Sequence, residues 1–202
     1  MKTLLAVGLG LVLFLRPVSA GAGAPTDQLR QTINQVLAIL KDPQLKGEDK
    51  MAERRKKLED TISTRFDSTE MAKRALGPHW QQRRPEEQQE FVKLFTGLLE
   101  DAYLDKIESY NGERVEFLNE TVDNNYAEVD TKIVGPNGQE FLVNYKLHQV
   151  QGEWKVYDVV IENVGLVHNY RSQFNRILAK SSFEELLKKL REKQFSAPGK
   201  QS

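Results

Sequence analysis

The sequence predicts an α+β fold, with a helical layer packed on one face of a curved four-stranded antiparallel sheet. Three observations predict it. Apolar residues recur at three- and four-residue steps from Leu29 to Ile107, at every second position from about 114 to 161, and at helical spacing again from Leu166 to Leu190. The segregated order of helices, strands and helices excludes a parallel doubly wound sheet. The chain has 202 residues, 39% of them apolar, and no cysteine, which is enough material for one core and none for a disulfide or thiolate site.

The first residues are a separate object. Lys2, an apolar run from Leu4 to Leu15, and Arg16-Pro17-Val18-Ser19-Ala20 form a secretory signal peptide cleaved after Ala20. The run has 12 residues, too short to span a membrane. Arg16 closes the run instead of preceding it, which keeps an uncleaved anchor as the alternative. Without Lys2 and Arg16 the remainder carries 27 basic against 29 acidic residues, a poor balance for binding nucleic acid through phosphate charge. An exported, cysteine-free, nearly neutral chain fits a periplasm. Residues 21–195 then form one domain, and 196–202 a polar tail.

Helical elements come first. Thr26 or Asp27 caps a helix through Leu29, Ile33, Val36, Leu37 and Leu40 that stops at Asp42-Pro43. A second helix runs from about Glu48 to Ile62, and its Arg54-Arg55-Lys56-Lys57 run, flanked by acidic residues, reads as a solvated face. Asp67 as N-cap, Glu70 closing a capping box and a Phe66–Met71 staple open a short helix to Leu76, stopped by Gly77-Pro78. Pro85, Glu86 and Glu87 open the strongest helix, with Phe91, Leu94, Phe95, Leu98, Leu99, Ala102, Tyr103 and Ile107 on one stripe.

Alternation then takes over. Val115 and Phe117; Ala127, Val129, Thr131 and Ile133; Phe141, Val143, Tyr145 and Leu147; and Trp154, Val156, Asp158 and Val160 each define one face of a strand. Gly135-Pro136-Asn137-Gly138 and Gln151-Gly152 supply turns. Tyr157, Val159 and Ile161 make the second face of the last strand apolar as well, so it should be covered on both sides. Leu166, Val167, Tyr170, Phe174, Ile177 and Leu178 form a helix, and Ser182 with Glu185 opens a last one through Phe183, Leu186, Leu187 and Leu190.

The catalytic inventory is thin. His168 and Ser172 lie four apart on one helix without a nucleophile elbow, Asp158 and Glu162 stand about 13 Å apart at strand rise, and His79 and His148 are isolated. No metal-ligand spacing, phosphate loop or dinucleotide fingerprint occurs. The residues give no positive argument for an enzyme, a cofactor or a metal.

Several segments together resemble the MlaC family, also called the toluene-tolerance auxiliary transport family. They are Phe66-Asp67 with Met71-Ala72 and Ala75-Leu76-Gly77; Trp80, Glu90-Phe91, Phe95, Leu98-Leu99 and Tyr103; Tyr145-Lys146-Leu147; Gly152 through Val159; and Asn169-Tyr170-Arg171-Ser172-Gln173-Phe174. Members typically carry Glu-Gly-Val-Ser where this chain has Glu162-Asn163-Val164-Gly165. Asn163 tolerates the positive φ of such a turn, whereas Gly165 removes a hydroxyl.

The resemblance implies an NTF2-like sheet with an apolar cavity under its helices. It implies a monomeric periplasmic phospholipid carrier, with phospholipid as cargo, working between an outer-membrane lipoprotein complex and an inner-membrane ABC transporter complex to maintain outer-membrane lipid asymmetry. At about 0.8 kcal/mol per buried methylene, two acyl chains represent a gross transfer term on the order of 20 kcal/mol, which only a deep slot can supply. The candidate walls are Phe91, Phe95, Leu98, Leu99 and Tyr103; Val143 and Tyr145; Tyr157 and Val159; and Leu166, Val167, Tyr170 and Phe174. Arg171 could touch a phosphate, though a surface salt bridge is its simpler use. Two rivals stay open: an NTF2-like enzyme on a hydrophobic substrate, with Asp158 in the cavity, and an interaction module with a solid core. Within the binding class, a hopanoid or other non-phospholipid cargo is a further possibility.

Overall fold

The computed structural model describes residues 24–195; the signal peptide, its cleavage site and the polar tail lie outside them. Six helices and five strands follow in the order α1 (Pro25–Lys41), α2 (Met51–Ser63), α3 (Ser68–Leu76), α4 (Pro85–Glu108), β1 (Arg114–Asp123), β2 (Tyr126–Val134), β3 (Glu140–Val150), β4 (Glu153–Ile161), β5 (Val164–Gly165), α5 (Leu166–Leu178) and α6 (Phe183–Arg191). The sheet is an antiparallel meander in the order β1-β2-β3-β4-β5. The fifth strand, two residues long, is the addition to the four expected.

Local chemistry explains most boundaries. Asp67 accepts from the Glu70 N–H at 2.9 Å, and Ser182 from the Glu185 N–H at 3.2 Å. Pro85 starts α4, and the Glu87 carboxylate accepts from the Arg84 N–H at 2.8 Å. Gly77 ends α3 at φ +59°, where a Cβ would stand 2.9 Å from Arg171 Nε. Asn163 takes φ +64° as expected, but Glu162 shares the strained region at +47°. Its carboxylate accepts from the Leu142 N–H at 2.6 Å, which ties the β4–β5 turn to β3.

Four expectations are corrected. Neither Thr26 nor Asp27 caps α1, which begins at Pro25 behind Ala24, because proline presets the first helical φ without needing its N–H bonded. The second helix starts at Met51 after a 3-10 turn over Glu48–Lys50. Glu70 does not close a capping box: its carboxylate pairs with Arg74 at 2.8 Å and Lys73 at 3.2 Å, while the Asp67 N–H bonds the Val156 carbonyl at 2.9 Å. The basic run of α2 is not wholly solvated either. Arg54 meets Glu108 at 3.0 Å and the Leu45 carbonyl at 3.0 Å, and Arg55 meets Asp105 at 2.8 Å and Glu108 at 3.2 Å, clamping α2 to the end of α4.

A fifth correction decides the site. β3 pairs Lys146 with Asp158 but Leu147 with Val156, so Tyr157 is the extra residue of a β-bulge. The bulge exchanges the two faces of β4. Trp154 and Val156 share the core face with Val159 and Ile161, and Asp158 and Val160 turn to the other side, not with Trp154 as strict alternation requires. Beside the bulge, the outer edge of β4 is shared between two partners: Arg65–Asp67, bonded to Val156, and β5, paired with Val160 and Ile161.

Two apolar clusters result. One is helical, with Met71, Ala72, Ala75, Leu76, Phe91, Phe95, Leu98, Val167, Tyr170 and Phe174 closed off by Phe183, Leu186, Leu187 and Leu190 of α6. The other lines the core face of the sheet, with Ala127, Val129, Val143, Leu147, Trp154, Val156 and Val159 under Leu29 of α1 and Leu166 of α5. Phe66 packs on both. The helices whose backbones come closest to the strands are α1, α3 and α5, whereas α4 packs mainly on other helices.

Candidate functional site

The predicted wall residues fall into three groups. Phe91, Phe95, Tyr170 and Phe174 are fully buried and fill one another's space. Phe91 stacks on Phe95 at 5.9 Å, Phe174 meets both edge-on at 5.5 and 5.6 Å, and Tyr170 stands edge-on to Phe95 at 5.5 Å. Leu98 and Val167 are buried in the same cluster, with Leu99 half-buried against it. Val143, Val159 and Leu166 are buried on the sheet side, with Tyr103 and Tyr145 half-buried against them. Tyr157 belongs to neither group. As the bulged residue it faces away, edge-on to His148 at 5.6 Å and Tyr126 at 6.0 Å, under the Arg74 guanidinium at 4.0 Å.

The meeting place of the second and first groups is where α4 looks toward the sheet. Tyr103 brings α4 to the sheet cluster, against which Phe117, Ile133, Tyr145 and Ile161 also pack, and each of the five keeps accessible surface although Val129, Val143 and Leu147 keep almost none. The phenols are desolvated even so. Burial raises the pKa of Tyr103 and pushes Tyr145 and Tyr170 up to about 12. Tyr103 Oη and Tyr170 Oη are buried without a hydrogen-bond partner, each at a cost on the order of 1–3 kcal/mol.

Sequence reasoning missed the part of α1 and of the preceding loops. Leu29, with Ile33, covers the sheet cluster, and the Arg30 guanidinium lies 4.1 Å over the Phe117 ring. The spacing of Leu29 and Ile33 carried that signal. Arg65 carried none: from the end of α2 it donates to Thr32 Oγ1 at 3.2 Å, Gln28 Oε1 at 2.7 Å and the Trp154 carbonyl at 2.7 Å, fastening α1 to β4.

The polar candidates are spent on structure. Asp158, placed by the bulge outside the core face, accepts from the Val167 N–H at 3.0 Å and so caps α5 from the neighbouring strand. Burial raises its carboxyl above the ordinary range. A Cβ at Gly165 would come within 3.3 Å of Asp158 Oδ2, so glycine at this position leaves room for the carboxylate. Ser172 donates to the His168 carbonyl at 3.1 Å, and His148 meets Asp67 at 3.0 Å. Arg171 lies over Gly77 at the end of α3, and no carboxylate pairs with it among the described residues. Among the described residues no cluster of three or more potential metal ligands occurs, and no helix is long and apolar enough to cross a membrane.

Two open hollows of about 450 and 480 Å³ run along the outer side of α1, one between Asp27 and Ala38 and one beside Asp60, Thr61 and Thr64 of α2. Neither opens between the helices and the sheet.

Known proteins resemble this chain in fold or in sequence. A phospholipid-binding protein from Ralstonia solanacearum, solved in complex with a phospholipid, superposes with a TM-score of 0.77 at 24% identity over 85% of this chain and 97% of its own. The intermembrane phospholipid transport system binding protein MlaC of Haemophilus influenzae is 26% identical over 124 residues, 59% of this chain and 58% of its own. The toluene tolerance protein ttg2D of Pseudomonas putida is 31% identical over 91 residues, 45% and 42% respectively. The chain thus spans about half the length of these curated relatives. The MlaC protein family model matches residues 30–192, from within α1 to just past α6, and the chain belongs to that family.

Proposed function

We propose that the chain is a periplasmic phospholipid carrier that takes acyl chains between α4 and the sheet and leaves the headgroup at the surface. The observation that carries this reading is the family match over residues 30–192, on a fold shared with a protein solved with a phospholipid. The half-buried layer of Tyr103, Phe117, Ile133, Tyr145 and Ile161 on the sheet cluster supports it, because partly exposed side chains can part without breaking the fully buried helical cluster. Val143, Val159 and Leu166 form its floor, and Phe95, Leu98, Val167 and Tyr170 its helical back wall. Phe91 and Phe174 hold that wall from behind.

No covalent step is needed. The chains partition from water into apolar surroundings, and transfer is driven by whatever shifts the balance between empty and loaded forms. In this reading a monomer exchanges lipid with an outer-membrane lipoprotein complex and an inner-membrane ABC transporter complex, each favouring a different form. Asp158, the acid of the enzymatic alternative, is engaged as a helix cap outside the core face, which does not favour its use on a hydrophobic substrate in the slot.

Native mass spectrometry of protein purified without detergent tests the proposal. Expected is an adduct of phospholipid mass, one per chain, with unaltered lipid in the solvent extract. A ligand-free preparation that takes up nothing from phospholipid vesicles would overturn it, and a hopanoid in the extract would change the cargo.

A further inference from the structure

Two donors lie where a purely apolar slot has no use for them. Among the described residues, only three buried side-chain nitrogen or oxygen atoms lack a hydrogen-bond partner: Tyr103 Oη, Tyr170 Oη and Arg83 Nε. Arg83 is accounted for elsewhere, since its guanidinium lies 4.8 Å over the Phe183 ring. The two phenols are not. Phenylalanine would fill either position with the same ring and leave no donor stranded. The Tyr170 ring is held by carbon alone, edge-on to Phe95 at 5.5 Å and stacked on Phe174 at 6.0 Å. Tyr103, on α4, packs against the sheet cluster, and it stands close enough to Tyr170 that the second phenol adds to the upward shift burial gives the first. One phenol thus comes from α4 against the sheet cluster and the other from α5, packed on Phe95 of the same α4, and both are protonated donors at physiological pH. Tyr103 also meets the exposed Lys106 ammonium, 5.3 Å from its ring centre, so its ring reaches from the surface inward. In the carrier reading, a lipid whose headgroup stays at the surface would hold its ester groups just beneath it, where this ring enters.

We propose that the Tyr103 and Tyr170 hydroxyls are a donor pair for the ester carbonyl oxygens of a diacyl lipid, so that the chain selects ester-linked over ether-linked cargo. This rests on the carrier reading and sharpens it. An ester carbonyl is a strong acceptor at the end of its C=O bond, whereas an ether oxygen of the same lipid lacks that projecting oxygen and leaves the phenols unpaired. Apolar burial alone cannot separate the two, because their hydrocarbon chains are the same.

The test is competitive loading of the full-length protein from vesicles holding equal amounts of a diacyl phosphatidylglycerol and its dialkyl ether counterpart of equal chain length, with bound lipid counted by mass spectrometry. The native chain is expected to carry about tenfold more ester than ether lipid, the size of a few net hydrogen-bond increments. The Tyr103→Phe, Tyr170→Phe double variant is expected to carry both in near equal amounts, with a lipid-free thermal midpoint no lower than that of the native chain. A ratio near one in the native chain, or a ratio that survives in the double variant, would overturn the assignment while leaving the carrier reading intact. A lowered midpoint in the variant would also overturn it, since the hydroxyls would then be bonded within the protein. Loading of neither lipid would overturn both readings together.

Discussion

The two apolar clusters are built from the same residue types, yet they are packed differently. In the helical cluster Phe91, Phe95, Tyr170 and Phe174 have no accessible surface, and each ring is engaged by another. Against the sheet cluster, Tyr103, Phe117, Ile133, Tyr145 and Ile161 are only half-buried, and no ring of this group stacks on another. The difference teaches where this fold keeps rigidity and where it keeps room. Helices α3, α4, α5 and α6 hold one another, so the frame does not depend on α4 closing onto the strands. In the proposed reading, side chains under α4 part to admit a lipid while this frame stays folded.

Substitutions can break or sharpen that contrast. Phe91→Ala, which empties a site in the tight cluster, should cost about 3–5 kcal/mol in urea unfolding and lower lipid loading only as far as the fold is lost. Arg65→Met should cost about 1–3 kcal/mol, because Gln28, Thr32 and the Trp154 carbonyl lose their shared donor. Hydrogen exchange should then quicken across 25–41 before the rest of the chain.

Asp158 acts through pH. Its folded-state pKa is raised by burial, so the folded chain binds this proton more tightly than the unfolded one. Its contribution to stability is fully present below the ordinary carboxylate pKa and is lost as pH rises through the raised value. Asp158→Asn keeps an oxygen for the Val167 N–H and should abolish that slope in pH-dependent unfolding, with a change at neutral pH of less than about 1 kcal/mol. Leu99→Trp should disturb stability least, by less than about 1 kcal/mol, because Leu99 is only half-buried at the margin of the helical cluster, and in the proposed reading it should sharply lower the lipid recovered from native protein. A cost of about 1–3 kcal/mol, as overpacking brings in a tight core, would erase the contrast between the two clusters.

Much of the architecture was legible. Helix starts at Asp67, Pro85 and Ser182, stops at Pro43 and Gly77, and the turn at Gln151-Gly152 are local events, decided by side chains within a few residues of the backbone they bond. Alternation located the first three strands and their core faces. It failed in β4, where one extra residue, Tyr157, has no signature of its own: apolar residues on both sides of the strand conceal the change of phase. For the same reason Tyr157 was placed with the walls and Asp158 with the core, and both belong to the other face.

The site was legible as a set and not as individuals. Periodicity marked Phe91, Phe95, Tyr103, Tyr170 and Phe174 alike as inward-facing, since it reports direction relative to one helix and nothing about what lies opposite. Arg65 stood in no pattern, because its three acceptors come from α1 and β4, far away along the chain.

What the sequence determined by itself was the kind, order and inner face of nearly every element, because those depend on interactions a few residues long. Tertiary structure alone decided which aromatic rings lock together and which leave space, where β4 changes face, and that two tyrosine hydroxyls end up buried without partners. Those outcomes depend on distances between segments many residues apart, and only the closed chain fixes them.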